Sequence, residues 1–260
     1  MPMNNRLLRP TTGLDPDAAK YLAAVEAADG EPLEPAVRAA INAFFRDSKA
    51  AGVFDALKAC CILAGARTLA GALVPVVGDA PTNVANGFVS GDYTRGGATP
   101  GLKGDGTSYL DSGRATNADP TSSMHLAVYP TAIGTTTLRA AGSYAPAGSD
   151  EVLIMNGDVR CRSRDTLSNV TVLADSIYGV SRSSSTEWYA RGGQSDFAGS
   201  TGVAASANSR NMFIFAYNND GSPFGISDAT LAFYSIGESL SLEDLDTAVT
   251  NLITAIGEAL

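Results

Sequence analysis

Glycine, lysine, aspartate and hydroxyl side chains cluster in residues 101–113, in the order GLKGDGTSYLDSG. Such residues cradle phosphate in nucleotide-binding loops. A Walker loop requires glycine, four residues and then Gly-Lys-Ser/Thr, and a dinucleotide loop requires G-x-G-x-x-G between a strand and a helix. The glycines here follow G-x-x-G-x-G between strand-like flanks. The sequence therefore favours a tight turn at Gly104, Asp105 and Gly106 over a phosphate site.

The composition of the 260-residue chain narrows the chemistry further. The formal charge is −9 and the single histidine is His125. Protein surfaces that bind nucleic acid need an excess of basic residues, and most metal sites and general-base sites use imidazole. The composition therefore does not favour nucleic-acid binding, metal binding or general-base catalysis. The adjacent Cys60 and Cys61 and the distant Cys161 predict free, buried thiols. The sequence has no signal-peptide core and no apolar run long enough for a bilayer, which predicts a protein of the cytoplasm without membrane insertion.

The sequence gives little sign of a catalytic centre. Retaining glycoside hydrolysis needs two carboxylates about 5–5.5 Å apart. No G-x-S-x-G nucleophile elbow is present, and His125 is expected to be a hydrogen-bonded strand residue. We expect no catalytic residues, no cofactor and no metal, although Asp105, Asp111 and Asp220 are candidate calcium ligands by residue type. The clustered acids are Glu238, Glu243, Asp244 and Asp246, which suit the start of a helix.

Tyr189 and Arg191 are the candidate glycan-binding residues. They share one face of a predicted strand, while Trp188 and Ala190 share the other, and Trp188 is expected in the core. A tyrosine ring can stack on a sugar, and an arginine beside it can donate hydrogen bonds to the hydroxyls. The alternative is that both side chains lie on an ordinary surface strand.

The elements that would position these residues change character near Gly78. Before it, an alanine-rich segment has helical spacing, with proline at helix starts and glycine at helix ends. After it, short alternating runs are separated by Gly, Ser, Asn and Asp, which predicts strands joined by turns. The expected helices are 15–30, 35–52 and 54–65, the last with Leu57, Cys60 and Cys61 facing inward; the expected strands include 124–129, 151–155, 187–191, 212–217 and 230–235.

The end of the chain completes the fold prediction. Residues 218–221, Asn-Asn-Asp-Gly, predict a hairpin turn, and Ser241 caps a final helix over residues 241–258. We predict a mainly β fold, an antiparallel jelly-roll β-sandwich preceded by a small helical subdomain and closed by a C-terminal helix. The predicted domains are an extended arm 1–13, a helical subdomain 14–78 and a sandwich with its helix 79–260.

The sequence also resembles two known families of proteins. Gly-Leu-x-Gly-Asp-Gly-x-x-Tyr-Leu-Asp at residues 101–111 resembles the opening of concanavalin-A-like (laminin-G-like) jelly rolls, and residues 231–245 are similar to their closing strand, turn and helix. Glucanases of that superfamily carry a Glu-x-Asp-x-x-Glu strand, which this sequence lacks. The whole arrangement also resembles structural proteins of tailed bacteriophages, through residues 21–30, 61–75 and 86–93.

The second resemblance implies a non-enzymatic virion protein of the tail, fibre, baseplate or capsid-decoration type. Such a protein would be located in the virion, bind other virion proteins as a homo-oligomer and present a lectin-like face to host-surface glycans. Arg6, Leu7, Leu8 and Arg9 are the candidate docking residues, because they give the arm positive charge and apolar anchors in an acidic chain. The alternative is a carbohydrate-active enzyme or a soluble lectin of the same fold.

Overall fold

The computed structural model describes residues 13–84, 87–134, 139–144, 152–155, 158–161, 167–168, 173–200 and 208–260. The candidate docking residues Arg6, Leu7, Leu8 and Arg9 lie outside this part of the chain. The helices are α1 (Pro16–Asp29), α2 (Pro35–Ala50), α3 (Leu69–Ala72) and α4 (Leu242–Ala259). The strands are β1 (Leu57–Ile62), β2 (Pro75–Val77), β3 (Thr82–Val84), β4 (Tyr93–Thr94), β5 (Gly101–Lys103), β6 (Tyr109–Ala115), β7 (Met124–Ala132), β8 (Arg139–Tyr144), β9 (Val152–Met155), β10 (Asp158–Cys161), β11 (Leu167–Ser168), β12 (Tyr178–Arg182), β13 (Glu187–Gly192), β14 (Ser195–Ser200), β15 (Asn211–Ile214), β16 (Tyr217–Asn219), β17 (Ser222–Phe224) and β18 (Thr230–Gly237).

The strands form two sheets that pack face to face. The first sheet has the order β14-β13-β12-β7-β18-β1-β2, with β5 paired to β18 and β4 paired to β5. The second has the order β11-β10-β9-β8-β15-β6-β3, with β16 beside β8 and β17 beside β16. The parallel contact of β16 with β8 departs from this otherwise antiparallel pairing of the described strands. The structure confirms the predicted mainly β sandwich with a helical amino-terminal part and a C-terminal helix.

The first and last long helices begin as their sequences predict. The Asp15 carboxylate accepts hydrogen bonds from the backbone N–H groups of Asp17 and Ala18, and proline occupies the first helical position of α1. This helix ends where Gly30 adopts a left-handed conformation with φ of 78°. In α4, the Ser241 hydroxyl accepts from the N–H of Asp244. Each cap satisfies donors that a helix start otherwise leaves unpaired.

The first sheet separates two apolar cores, because it is covered on both faces. Between the sheets lie side chains such as Leu126, Val128, Trp188, Ile214 and Tyr234, which confirms the predicted core position of Trp188. On the opposite face, α1, α2 and α4 pack over the sheet. The buried residues of this helix-facing core include Ile41, Phe44, Phe45, Tyr129, Phe233, Leu245, Val249 and Ile253.

The predicted third helix over residues 54–65 is wrong. Only Phe54–Ala56 forms a 3₁₀ turn, and Leu57–Ile62 is the strand β1, between β18 and β2. Cys60 points into the helix-facing core and Cys61 into the core between the sheets. Because both faces of β1 are apolar, its sequence lacks the polar alternation that identifies a half-buried strand. Segment 14–78 thus contributes β1 and β2 to the first sheet.

Candidate functional site

The glycine-rich stretch 101–113 is a link between the two sheets, since β5 belongs to the first and β6 to the second. The Asp105 carboxylate accepts hydrogen bonds from the backbone N–H groups of Thr107 and Ser108, each at 2.7 Å. A Cβ on Gly104 would lie 2.1 Å from the Ser227 carbonyl oxygen, so this position requires glycine. The predicted turn is confirmed, and the Asp105 carboxylate forms its hydrogen bonds within the turn.

The three candidate calcium ligands lie in separate local networks. Asp105 closes the turn just described. The Asp111 carboxylate accepts from the backbone N–H of Gly113 and from the Asn211 amide, and Asp220 pairs with Arg210. Within the described residues, no three His, Cys, Asp or Glu side chains are grouped so as to hold a metal ion.

His125 is buried on the helix-facing side of the first sheet. Its Nδ1 lies 2.6 Å from the Glu238 carbonyl oxygen, so this nitrogen carries the proton and donates. Its Nε2 lies 3.0 Å from the Ser235 hydroxyl, which donates to it. Burial lowers the pKa of His125 to about 4. The ring is therefore neutral at physiological pH and serves as a fixed hydrogen-bonding group, which confirms its predicted role.

The candidate glycan residues Tyr189 and Arg191 do share a strand face, but that face lies under α4. The Tyr189 hydroxyl donates to the Leu240 carbonyl oxygen. The Arg191 side chain is 9% exposed, and its guanidinium pairs with Asp246 at 2.8 Å and with Asp196 at 2.7 Å. The structure brings the two side chains together at a contact within the fold. The glycan assignment stays a prediction, and their placement gives it no support.

The segment of residues 238–246 bonds to several polar groups on this face. Besides the contacts of His125, Tyr189 and Arg191, the Ser181 hydroxyl donates to the Leu240 carbonyl oxygen. The Asp246 carboxylate also accepts from the backbone N–H of Ile177 at 2.7 Å. Asp246, one of the acids that cluster in the sequence, therefore anchors α4 to the first sheet.

A partly exposed aromatic pair lies on the hairpin of β16 and β17. The Tyr217 and Phe224 rings have centroids 5.3 Å apart, and Phe224 is 46% exposed. Asp220 and Gly221 form the two-residue turn, both with positive φ (50° and 97°). This confirms the predicted turn and sets the pairing of Asn219 with Ser222 and of Tyr217 with Phe224. We did not identify the pair from the sequence, although counting outward from the turn gives it.

The hairpin is held in place by hydrogen bonds on both sides. The Asn218 amide donates to the Asn211 carbonyl oxygen, and the Asn218 side-chain oxygen accepts from the N–H of Gly221. Arg210 forms two contacts with one Asp220 oxygen, at 2.6 and 3.1 Å. The aromatic pair thus lies on a hairpin fixed by hydrogen bonds, whose turn also contributes Asp220 to the exposed ion pair with Arg210.

A small cavity of about 190 Å³ lies between α4 and the end of β7. Its lining includes the side chains of Tyr129, Asp175 and Thr250, next to Gly97 and Gly257. Burial raises the pKa of Asp175, and it raises that of Tyr129 to about 12. A carboxyl of raised pKa suits proton transfer, but glycoside hydrolysis needs a pair. The described lining supplies the one carboxyl of Asp175.

No family model matches the chain, and no curated protein sequence matches it. Among solved structures, it is similar to a Trypanosoma rangeli sialidase mutant with trans-sialidase activity, with a TM-score of 0.47 and 9% identity. The Trypanosoma rangeli sialidase in complex with sialic acid is also similar, with a TM-score of 0.39 and 12% identity. Both alignments cover 85% of this chain and 39% of the sialidase chain.

A third similar structure is domain 4 of AbnA, a GH43 extracellular arabinanase from Geobacillus stearothermophilus, in complex with arabinotriose. It has a TM-score of 0.37 and 14% identity, over 68% of this chain and 82% of that domain. This chain spans about two fifths of the length of the sialidases it matches. At these TM-scores, the activities and ligands belong to those proteins and are not transferred by the likeness.

Two expectations from the sequence change with these comparisons. The prediction that the chain is not an enzyme is contradicted by the kind of protein it is similar to, two sialidases and a domain of an arabinanase, and the likeness itself assigns no activity to this chain. None of these three is a bacteriophage protein, so the comparisons give the virion resemblance no support.

In the described residues, no helix has the length and apolar character needed to cross a membrane.

Proposed function

We propose that the chain is a carbohydrate-binding β-sandwich protein that recognises glycan with the hairpin of β16 and β17. The observation that carries the proposal is the aromatic pair of the half-buried Tyr217 and the exposed Phe224, on a hairpin with a hydrogen-bonded turn. Aromatic rings pack against the C–H faces of sugars, and their rigid side chains lose little entropy on binding.

The ion pair at the turn of the same hairpin suits the same class of ligand. Arg210 and Asp220 have side chains 46% and 52% exposed, so both remain accessible while they pair with each other. Such a pair can offer donors and acceptors to neighbouring hydroxyls of one sugar. Because the whole chain carries a formal charge of −9, a neutral glycan is favoured over a polyanionic one.

The test is a glycan array with purified protein, followed by calorimetry on the ligands found. Phe224→Ala and Tyr217→Ala should each weaken binding about tenfold, the equivalent of roughly 1.4 kcal/mol per ring. Val89→Ala removes an exposed apolar side chain of another segment, 59% exposed, and should leave affinity unchanged. The proposal fails if the protein binds no glycan, or if the aromatic variants bind as wild type does.

Two further measurements sharpen the assignment. Tyr189→Phe removes the hydroxyl that contacts Leu240 and should leave glycan affinity unchanged. If Tyr189→Phe lost affinity while Phe224→Ala bound as wild type does, the glycan site would lie at Tyr189 and Arg191, the residues predicted from the sequence. Release of reducing sugar from each bound glycan, measured in parallel, tests for turnover. The virion location and virion partners stay predictions from resemblance alone.

A further inference from the structure

A partly apolar groove of about 400 Å³ runs along the first turns of α1. One wall is α1 itself, with Asp17, Lys20 and Tyr21, and the other walls are Phe54 and the strand β2. The side chains of β2, Pro75–Val77, are neither fully buried nor fully exposed. The groove therefore presents a largely apolar floor that is open to solvent.

The strand at this groove is an edge of the first sheet. Among the strands that the structure describes, β2 pairs with β1 and with no other strand. An edge strand offers unpaired backbone donors and acceptors to any extended segment that lies alongside it. The groove thus combines side-chain pockets with a backbone edge, which suits a short extended peptide.

The amino-terminal end of α1 delivers the chain to this groove. Asp15 is fixed there by Lys49, whose Nζ lies 2.7 Å from its carboxylate, and its backbone N–H donates to Asn42. Asp17, two residues later, already lines the groove. The five residues that follow Leu8 span up to about 17 Å when extended. The arm can therefore reach the groove without rearrangement of the fold.

The arm also has suitable chemistry. Residues 1–12 contain Arg6 and Arg9 and no acid, so they carry +2 of the total formal charge of −9, and the other residues carry −11. Leu7 and Leu8 supply apolar side chains between the two arginines. An attached segment has an effective concentration in the millimolar range, so weak contacts suffice to hold it.

We propose that residues 1–12 bind in the groove between α1 and β2 of their own chain, with Leu7 and Leu8 on the apolar floor. This binding covers the side of β2 that pairs with no other described strand, and it is independent of the glycan site. The alternative, that the arm docks on neighbouring subunits as predicted from the sequence, is one of the outcomes of the cross-linking experiment below.

A peptide of residues 1–12, added to protein that lacks these residues, tests the proposal. The truncated protein should bind the peptide with a submillimolar Kd, and the full-length protein at least tenfold more weakly because its own arm competes. Val76→Glu in the groove should reduce peptide binding by tenfold or more, whereas Val89→Glu elsewhere should not. Equal binding by the truncated and full-length proteins, or no effect of Val76→Glu, would overturn it.

A disulfide trap distinguishes the arm's own groove from that of a second copy. Leu8→Cys and Val76→Cys are combined with Cys161→Ser, while Cys60 and Cys61 stay buried and free. Oxidation at low protein concentration should give a cross-linked monomer of altered mobility on a denaturing gel. A disulfide-linked dimer as the main product would overturn the intramolecular assignment, and so would the absence of any cross-link in a folded protein.

Discussion

The two sheets of the sandwich differ in what lies on their outer faces. The first is covered by the long helices and by residues 238–246, and every residue of its inner strand β18 is buried. The second carries the hairpin with the half-buried Tyr217 and the exposed Phe224. The difference indicates that the covered first sheet stabilises the fold, whereas the second sheet carries side chains that a ligand can reach.

The largest expected effect compares two phenylalanines, one on each sheet. Phe233 is fully buried and contacts Phe44 in an edge-to-face arrangement with ring centroids 5.9 Å apart. Phe233→Ala should lower the free energy of unfolding by about 3–5 kcal/mol, whereas Phe224→Ala should lower it by less than about 1 kcal/mol. Urea denaturation measures both. Equal losses would show that the hairpin stabilises the fold as the first sheet does.

The next effect concerns the buried ion pair that joins α4 to the first sheet. Arg191→Met leaves the Asp246 carboxylate, whose side chain is 6% exposed, without its main cation. We expect a loss of about 3 kcal/mol in the free energy of unfolding. The double variant Arg191→Met/Asp246→Asn keeps an acceptor for the N–H of Ile177 and should recover part of the loss. A double variant as unstable as the sum of the single ones would contradict this electrostatic cause.

The smallest effect is a pH dependence on the same covered face. The folded pKa of His125, about 4, lies below the ordinary value of 6.5. Its contribution to stability is therefore complete above pH 6.5 and is lost as pH falls towards 4, because the unfolded chain binds the proton first. The loss between pH 6.5 and pH 5 should be roughly 1.5 kcal/mol.

The control for this effect is His125→Asn, whose amide can still donate to the Glu238 carbonyl oxygen. The unfolding free energies of wild type and variant are measured by urea denaturation at several pH values. Subtracting one from the other removes the contribution of the other titratable groups. A difference that stays constant from pH 7 to pH 5 would show that His125 is not protonated preferentially in the unfolded chain.

Features governed by local chemistry could be predicted from the sequence. The helix cap at Ser241 and the turn at Asp220 and Gly221 each depend on residues within a few positions, and both occur as expected. The strand β1 could not be recognised, because its two apolar faces imitate a buried helix. The same limit applies to Tyr189 and Arg191. Their strand face was correct, but the segment that covers it comes about 50 residues later in the chain.

The position of β18 has a consequence for how the chain folds during synthesis. This strand pairs with β7 on one side and with β1 and β5 on the other, so it joins the two halves of the first sheet. It is also synthesised after all three of these partners. Until residue 237 leaves the ribosome, β1 and β7 lack their shared partner, and their apolar faces remain exposed to chaperones and to neighbouring nascent chains.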